Sequence, residues 1–281
     1  MFLSEDASLT KAQQRKAYDK QYRASRKARK RELVDMHQTV LDAEHARKPG
    51  SSVEIGFRAK RINRSGECKN LPYEYAYILK ACEEFIDNPK RFPSLQTNDG
   101  QAVNNIQCRR LIARVMATML PYTDLIGGRV GEANKAHFDT ISYDFLQEEH
   151  ALRFGEYISP KSFAKAIKYL ENAGYLLAER VNVCVDAIEG TFRSAASFKQ
   201  FTQAFFDDLK VQRYPNINEL IRATRERKIK QGLSFKWISS QRIRNRVCEI
   251  YNATKLNTVA DSLARSFMDL KQQPHPYQVP I

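Results

Sequence analysis

The chain is poor in the residues that metal and thiol chemistry require. Its five cysteines, Cys68, Cys82, Cys108, Cys184 and Cys248, are odd in number and form no CxxC pair, which argues against both a disulfide framework and a zinc site. The five histidines are equally scattered: no HExxH, HxH or Cys/His spacing occurs, and no metal is expected. No stretch approaches the roughly 18 consecutive apolar residues of a membrane helix. The start, "MFLSEDASLTKAQQRKAYDK", lacks the basic-then-apolar order of a secretory leader. The glycine-rich "IGGRVG" at 126–131 is missing the GxxxxGK[ST] of a phosphate loop and is read as a plain loop. These absences together predict a cytoplasmic protein with no membrane segment, no cofactor and no catalytic site.

Excess charge is present, and it is localised. Residues 11–31 hold ten Lys/Arg against Asp19, a net +9, and residues 222–246 hold nine against Glu226, a net +8. The remainder carries 27 basic and 30 acidic residues, so the whole excess of +14 sits in two segments on a slightly acidic body. Solubility does not need that arrangement, whereas a polyanion does, because each cation that neutralises a phosphate releases a condensed counterion. Nucleic acid is therefore the expected partner.

Residues 1–48 read as a mobile basic arm leading into one short amphipathic helix around Leu33, Val34, Met36, Val40 and Leu41, broken by "KPGSS". A strand is expected at Val53–Phe57, a helix from Tyr73 to about Phe85 with Tyr73, Tyr77 and Phe85 on its apolar side, and another over about 102–120 ended by Pro121.

The most informative stretch is "ISPKSFAKAIKYLENAGYLLAERVNVCVDAIEGTFR", residues 158–193. Ahead of it, "FDT" reads as a short strand, Ser142 as the cap of a helix over "YDFLQEEHALRF", and Gly155 as that helix's exit. Ser159 then caps a second helix with Pro160 at its first position, where the missing N–H costs nothing, and Gly174 stops it. Phe163, Ala166, Ile167 and Leu170 form its inner stripe, while Lys161, Lys165, Lys168 and Asn172 line the opposite face with Ser162 and Tyr169 beside them. Lysines reach phosphates or guanine edges and Asn can bridge adenine, so this is the composition of a recognition helix in a major groove. From Val181 the period becomes 2, with Val181, Val183 and Val185 on one side and Arg180, Asn182 and Cys184 on the other; "DAIEG" turns and "TFRSAAS" returns. Helix, turn, helix and hairpin make a winged helix, with Arg180 and Arg193 as wing contacts and an acidic tip at Asp186 and Glu189.

Further on, Phe198, Phe201, Phe205, Phe206 and Leu209 are spaced as the apolar face of a helix, and "PNINELIRATRERKIKQG" begins another with Asn216 or Asn218 as cap. Its basic side chains Arg222, Arg225, Arg227, Lys228 and Lys230, with Arg242 and Arg246 on a following helix buried through Trp237, Ile238, Ile243, Val247 and Ile250, are candidates for tracking a phosphate backbone. "VADSLARSFMDL" reads as a last amphipathic helix. The expected fold is mainly α with small β-hairpins, a winged helix-turn-helix domain plus a helical C-terminal region, divided as 1–48 (basic arm), 53–210 (winged helix) and 211–272 (basic helical region).

The succession "TISYDFLQEE", "ISPKSFAKAIKYLENAGYL", hairpin, "SFKQFTQAFFDDL" and "KIKQGLS" resembles plasmid replication initiators of the IncFII RepA type over residues 100–235. The resemblance implies a protein that binds double-stranded DNA repeats at a plasmid origin, helps open the adjacent duplex and brings in host replication proteins (helicase, primase and the host initiator), with no hydrolytic or strand-cutting chemistry of its own. A dimer is compatible with that reading. A winged-helix transcription regulator binding operator DNA is the first alternative. A primase or nuclease whose carboxylates converge only on folding is the second.

Overall fold

Residues Lys11–Arg47 form one helix of 37 residues (α1) in the computed structural model, which describes residues 11–47, 54–97, 101–188 and 190–254. The mobile arm followed by a short helix is thus replaced by a single continuous element. Two causes combine: the basic run is built from Ala, Arg, Lys and Gln, all strong helix formers, and Leu33, His37 and Val40 bury against later parts of the chain.

No strand forms over the described part of the segment beginning at Glu54; Gly56 N donates instead to Arg153 O at 3.1 Å. A small antiparallel hairpin follows, β1 (Lys60–Ile62) with β2 (Cys68–Asn70). α2 (Glu74–Asp87) buries Tyr75, Ile78, Leu79, Cys82 and Phe85, so its apolar side is turned from the expected one and Tyr73 is left 63 % exposed. Two short helices, α3 (Ser94–Thr97) and α4 (Gln101–Asn104), precede α5 (Ile106–Met119). The helix expected over 102–120 is cut at Asn105, whose side-chain oxygen accepts from Gln107 N at 2.8 Å and so caps α5. Pro121 falls in the short 3₁₀ turn Leu120–Tyr122.

The second hairpin is β3 (Gly131–Ala133) with β4 (Phe138–Thr140). Then come α6 (Tyr143–Phe154), α7 (Pro160–Asn172), the long antiparallel pair β5 (Leu176–Asp186) and β6 (Thr191–Phe201), α8 (Gln203–Leu209) and α9 (Ile217–Lys230). A helix over residues 240–254 closes the described chain. The architecture is mainly helical with antiparallel two-stranded sheets. Phe198 and Phe201 lie in β6, not in the helix their spacing suggested, and only Phe205, Phe206 and Leu209 are helical. The expected break at 48–52, Glu189, and the helix over "VADSLARSFMDL" lie outside the described residues.

The main core surrounds α5, whose Ile112, Val115, Met116 and Met119 are fully buried, and draws on α2, α7, the base of the long hairpin, α8 and Ile217 of α9. Each such side chain contributes on the order of 2 kcal/mol by leaving water. A smaller, separate cluster joins Leu33 and Val40 of α1 to Ile55, Ile62 and the α6 residues Ala151 and Leu152. The glycine-rich loop is seated on β6: Phe201 N donates to Gly128 O at 2.8 Å, and a Cβ at Gly128 (φ +70°) would stand 2.1 Å from Phe201 O. Only glycine fits there.

Candidate nucleic-acid interface

α6 and α7 are set by their ends. Ser142 Oγ accepts from Phe145 N at 3.1 Å to start α6, and Gly155 leaves it in the left-handed conformation (φ 61°). Ser159 Oγ accepts from Ser162 N at 3.0 Å to start α7, with Pro160 at the first position. Each cap stabilises by about 1 kcal/mol. Gly174 (φ +71°) turns the chain into β5. The anchoring of α7 by Phe163, Ala166, Ile167 and Leu170 leaves Lys161, Lys165, Lys168 and Asn172 together on the solvent side. Ser162 is half-buried, its hydroxyl 2.8 Å from that of Ser159. Tyr169 is half-buried against the core, with Lys165 Nζ 5.8 Å from its ring centre, so both residues support the face from its flank.

The hairpin follows the alternation of its sequence, with Val183 buried and Asn182 and Cys184 exposed. Register is Val181↔Ala195, Val183↔Arg193 and Cys184↔Phe192, with a shift between Glu179 and Val181. Arg180 stands exposed at that shift. Arg193 is exposed too, its guanidinium 5.8 Å from the ring centre of Tyr251 on the helix over 240–254. At the tip, Asp186 Oδ1 accepts from Ile188 N at 3.1 Å, so this acidic residue shapes the turn.

Two buried lysines that pattern reading passed over hold this region in place. Lys199 on β6 is fully buried; its Nζ donates to Ile141 O at 2.6 Å and Ser197 O at 3.0 Å and lies 4.5 Å from the Tyr143 ring centre. It ties the hairpin to the residue before the α6 cap, and burial without a carboxylate pulls its amine down to about 7. Lys30 on α1 is 3 % exposed and donates to Asp144 Oδ1 at 2.7 Å and Gln147 Oε1 at 2.6 Å, both on α6. The sequence did carry a signal for Lys30, since it lies three and seven residues ahead of the buried Leu33 and His37. For Lys199 it carried none.

His37 Nδ1 bonds to Leu152 O at 2.7 Å, and its ring covers Gly155 so closely that a Cβ there would be 2.6 Å from His37 Cδ2. Arg153, buried in α6, donates to Gly56 O at 2.8 Å and Lys60 O at 3.1 Å; desolvation draws its guanidinium down to about 10. His150 beside it is pushed down to about 4 by burial, so it is neutral across the physiological range.

The C-terminal basic residues divide in two. Arg222, Arg227 and Lys230 of α9 are exposed. Arg225 turns inward to Asp124 Oδ2 at 3.4 Å and lies over Phe235, and Lys228 is half-buried, its amine pulled down by desolvation. On the helix over 240–254, Arg242 reaches His137 Nδ1 at 3.1 Å, and Arg246 donates to Asp139 Oδ1 at 3.1 Å and Oδ2 at 3.4 Å, so both clamp this helix to β4 and the residue before it. Trp237 precedes that helix and packs on Phe138, while Ile250 is 61 % exposed where a buried position was expected. Asn216 sits before α9 in the left-handed conformation and makes no side-chain cap.

Among the described residues no group of three or more His, Cys, Asp or Glu converges in a way that would hold a metal, and no helix is long and apolar enough to cross a membrane. Compared with family models, curated proteins and solved structures, the chain finds no match in any of the three.

Proposed function

We propose that the chain is a plasmid replication initiator that binds double-stranded origin DNA through a winged helix made of α6, α7 and the β5–β6 hairpin, and that it recruits host helicase, primase and initiator. The observation that carries the DNA-binding part is α7: a helix held by one apolar stripe, presenting Lys161, Lys165, Lys168 and Asn172 on the opposite side, and followed directly by a hairpin that exposes Arg180 and Arg193. The lysines reach phosphates or guanine edges and Asn172 bridges a base edge. Arg222, Arg227 and Lys230 supply salt-dependent attraction that does not discriminate sequence. Replication rests on the resemblance of residues 100–235 to IncFII RepA-type initiators. It is kept apart from DNA binding by the test.

A plasmid carrying only this gene and its flanking DNA, with its own replicon removed, is introduced into a bacterial host that lacks the protein. Stable transformants that vanish with Lys165→Glu/Lys168→Glu support an initiator acting through α7. Tight binding of the flanking DNA without transformants would move the reading to a transcription regulator.

A further inference from the structure

α1 divides at Lys30. From Lys30 onward one side of the helix is buried on α6; ahead of it, residues 16–29 are exposed throughout and span about 20 Å at 1.5 Å per residue. The seam does not end where burial ends. Stepping back from Leu41, His37, Val34 and Lys30 by alternating three and four residues gives Lys27, Arg23, Lys20 and Lys16, so the face that docks on the body continues past it as a line of cations. The opposite face carries Gln21, Ser25 and Ala28, and Arg29 there is paired with Glu32 at 3.1 Å.

The arm is also fixed in direction. Lys30 and Arg26 both hold Asp144 in the first turn of α6, at 2.7 and 2.9 Å, and Lys27 Nζ lies 6.0 Å from the ring centre of Tyr157 in the turn that leads into α7. Arg26 in addition covers the Tyr22 ring at 4.6 Å, and Tyr22 stacks on Tyr18. The cationic line therefore leaves the body at the α6–α7 turn and faces the side on which α6 lies.

We infer that Lys16, Lys20, Arg23 and Lys27 form a second duplex-binding element, a rigid helix that lies along the phosphates of the same DNA that α7 engages and is phased to it by the Lys30–Asp144 clamp. This rests on the DNA-binding reading of α7. Charge complementarity selects the occupant: four cations in line on an exposed helix face match a row of phosphates, and their fixed register to α7 selects a duplex over a flexible strand.

Two variants of the full chain test it, measured with duplex DNA selected by the wild-type protein from a random pool and with unselected random duplex. Replacing Lys16, Lys20, Arg23 and Lys27 by Ala is expected to weaken both and to lower the slope of log affinity against log salt by about 3 to 4, from roughly 0.9 per phosphate contact. Inserting two alanines after Ala28 keeps every charge but rotates the arm by about 200° relative to the body. It is expected to weaken binding of the selected duplex about as much as the alanine variant does and to shorten the protected footprint at one end. Circular dichroism and melting should be unchanged in both variants, since the altered side chains are exposed. Full affinity after the insertion would overturn the phased arm, and full affinity after the alanine replacements would hand the face to another acidic partner. Loss on Lys165→Glu/Lys168→Glu with no effect of either arm variant would leave α7 as the binding element and remove only this inference. Failure of the wild-type protein to bind duplex would remove both.

Discussion

Residues 11–31 and 222–246 carry almost the same charge, +9 and +8, yet the fold uses them in opposite ways. In the second segment Arg225, Arg242 and Arg246 reach back to Asp124, His137 and Asp139, so part of the charge cements α9 and the following helix to the β3–β4 region. In the first, the line Lys16, Lys20, Arg23, Lys27 stays on the solvent side, and contacts with the body begin at Arg26 and Lys27 and become buried only at Lys30. Charge counted along a sequence thus overstates what is offered to a partner in one segment and describes it well in the other. The difference is whether carboxylates from elsewhere in the chain come within reach.

Asp144→Ala should test the contrast most severely. It leaves Lys30 buried with only Gln147 as partner, and a loss of roughly 3 kcal/mol in denaturant unfolding is expected, with new protease cleavage in α1. Asp139→Ala, which frees the half-exposed Arg246, should cost less than about 1 kcal/mol. Equal losses would break the comparison.

Lys199 extends it to a buried cation with no carboxylate at all. Its folded-state value near 7 lies below the ordinary ~10.4 of an unfolded lysine, so between those values the unfolded chain binds the extra proton and stability rises with pH. The expected gain is up to about 1.4 kcal/mol per pH unit from pH 7 upward, read as melting temperature, and it should be absent in Lys199→Met. A wild-type protein whose rise matches that of Lys199→Met would show the amine to be charged in place.

Arg225→Ala should lower stability by about 1–2 kcal/mol, since Asp124 loses the cation facing it, while affinity for random duplex stays as it was. Lys20→Ala is expected to do the reverse: stability within about 0.5 kcal/mol of wild type, and a salt slope of duplex binding lower by roughly 0.9. If both variants changed the same property, the two segments would be doing one job.

The ends of elements were the legible part of this fold. Ser142, Gly155, Ser159–Pro160 and Gly174 each stand where capping chemistry puts them, and the Val181, Val183, Val185 alternation marked β5. The exposed face of α7 could be read for the same reason, because a single stripe anchors it. β6 was hidden, since its inward positions near the base are Ser197, Lys199 and Phe201, and two polar residues at buried sites erase the period of 2. Phe198, Phe201 and Phe205 then mimic a helix spacing. α1 was legible as helix-forming but not as docked, because the carboxylate that receives Lys30 lies 114 residues away. The break at Asn105 went unseen because Asn104 and Asn105 interrupt no apolar stripe; what ends the helix there is one side-chain hydrogen bond.

The small cluster that seats α1 is separate from the one around α5, and that separation has a consequence in time. Leu33, Val40, Ile55, Ile62, Ala151 and Leu152 can part while Ile112, Val115 and Met116 stay packed, so α1 and the β1–β2 hairpin form a unit that opens on its own. Backbone amides of α1 from Lys30 onward should then exchange with solvent deuterium through that partial opening, well before those of α5, which wait for the whole molecule to unfold. A duplex gripping both α1 and α7 would close the gap between the two rates by making the partial opening break its own contacts.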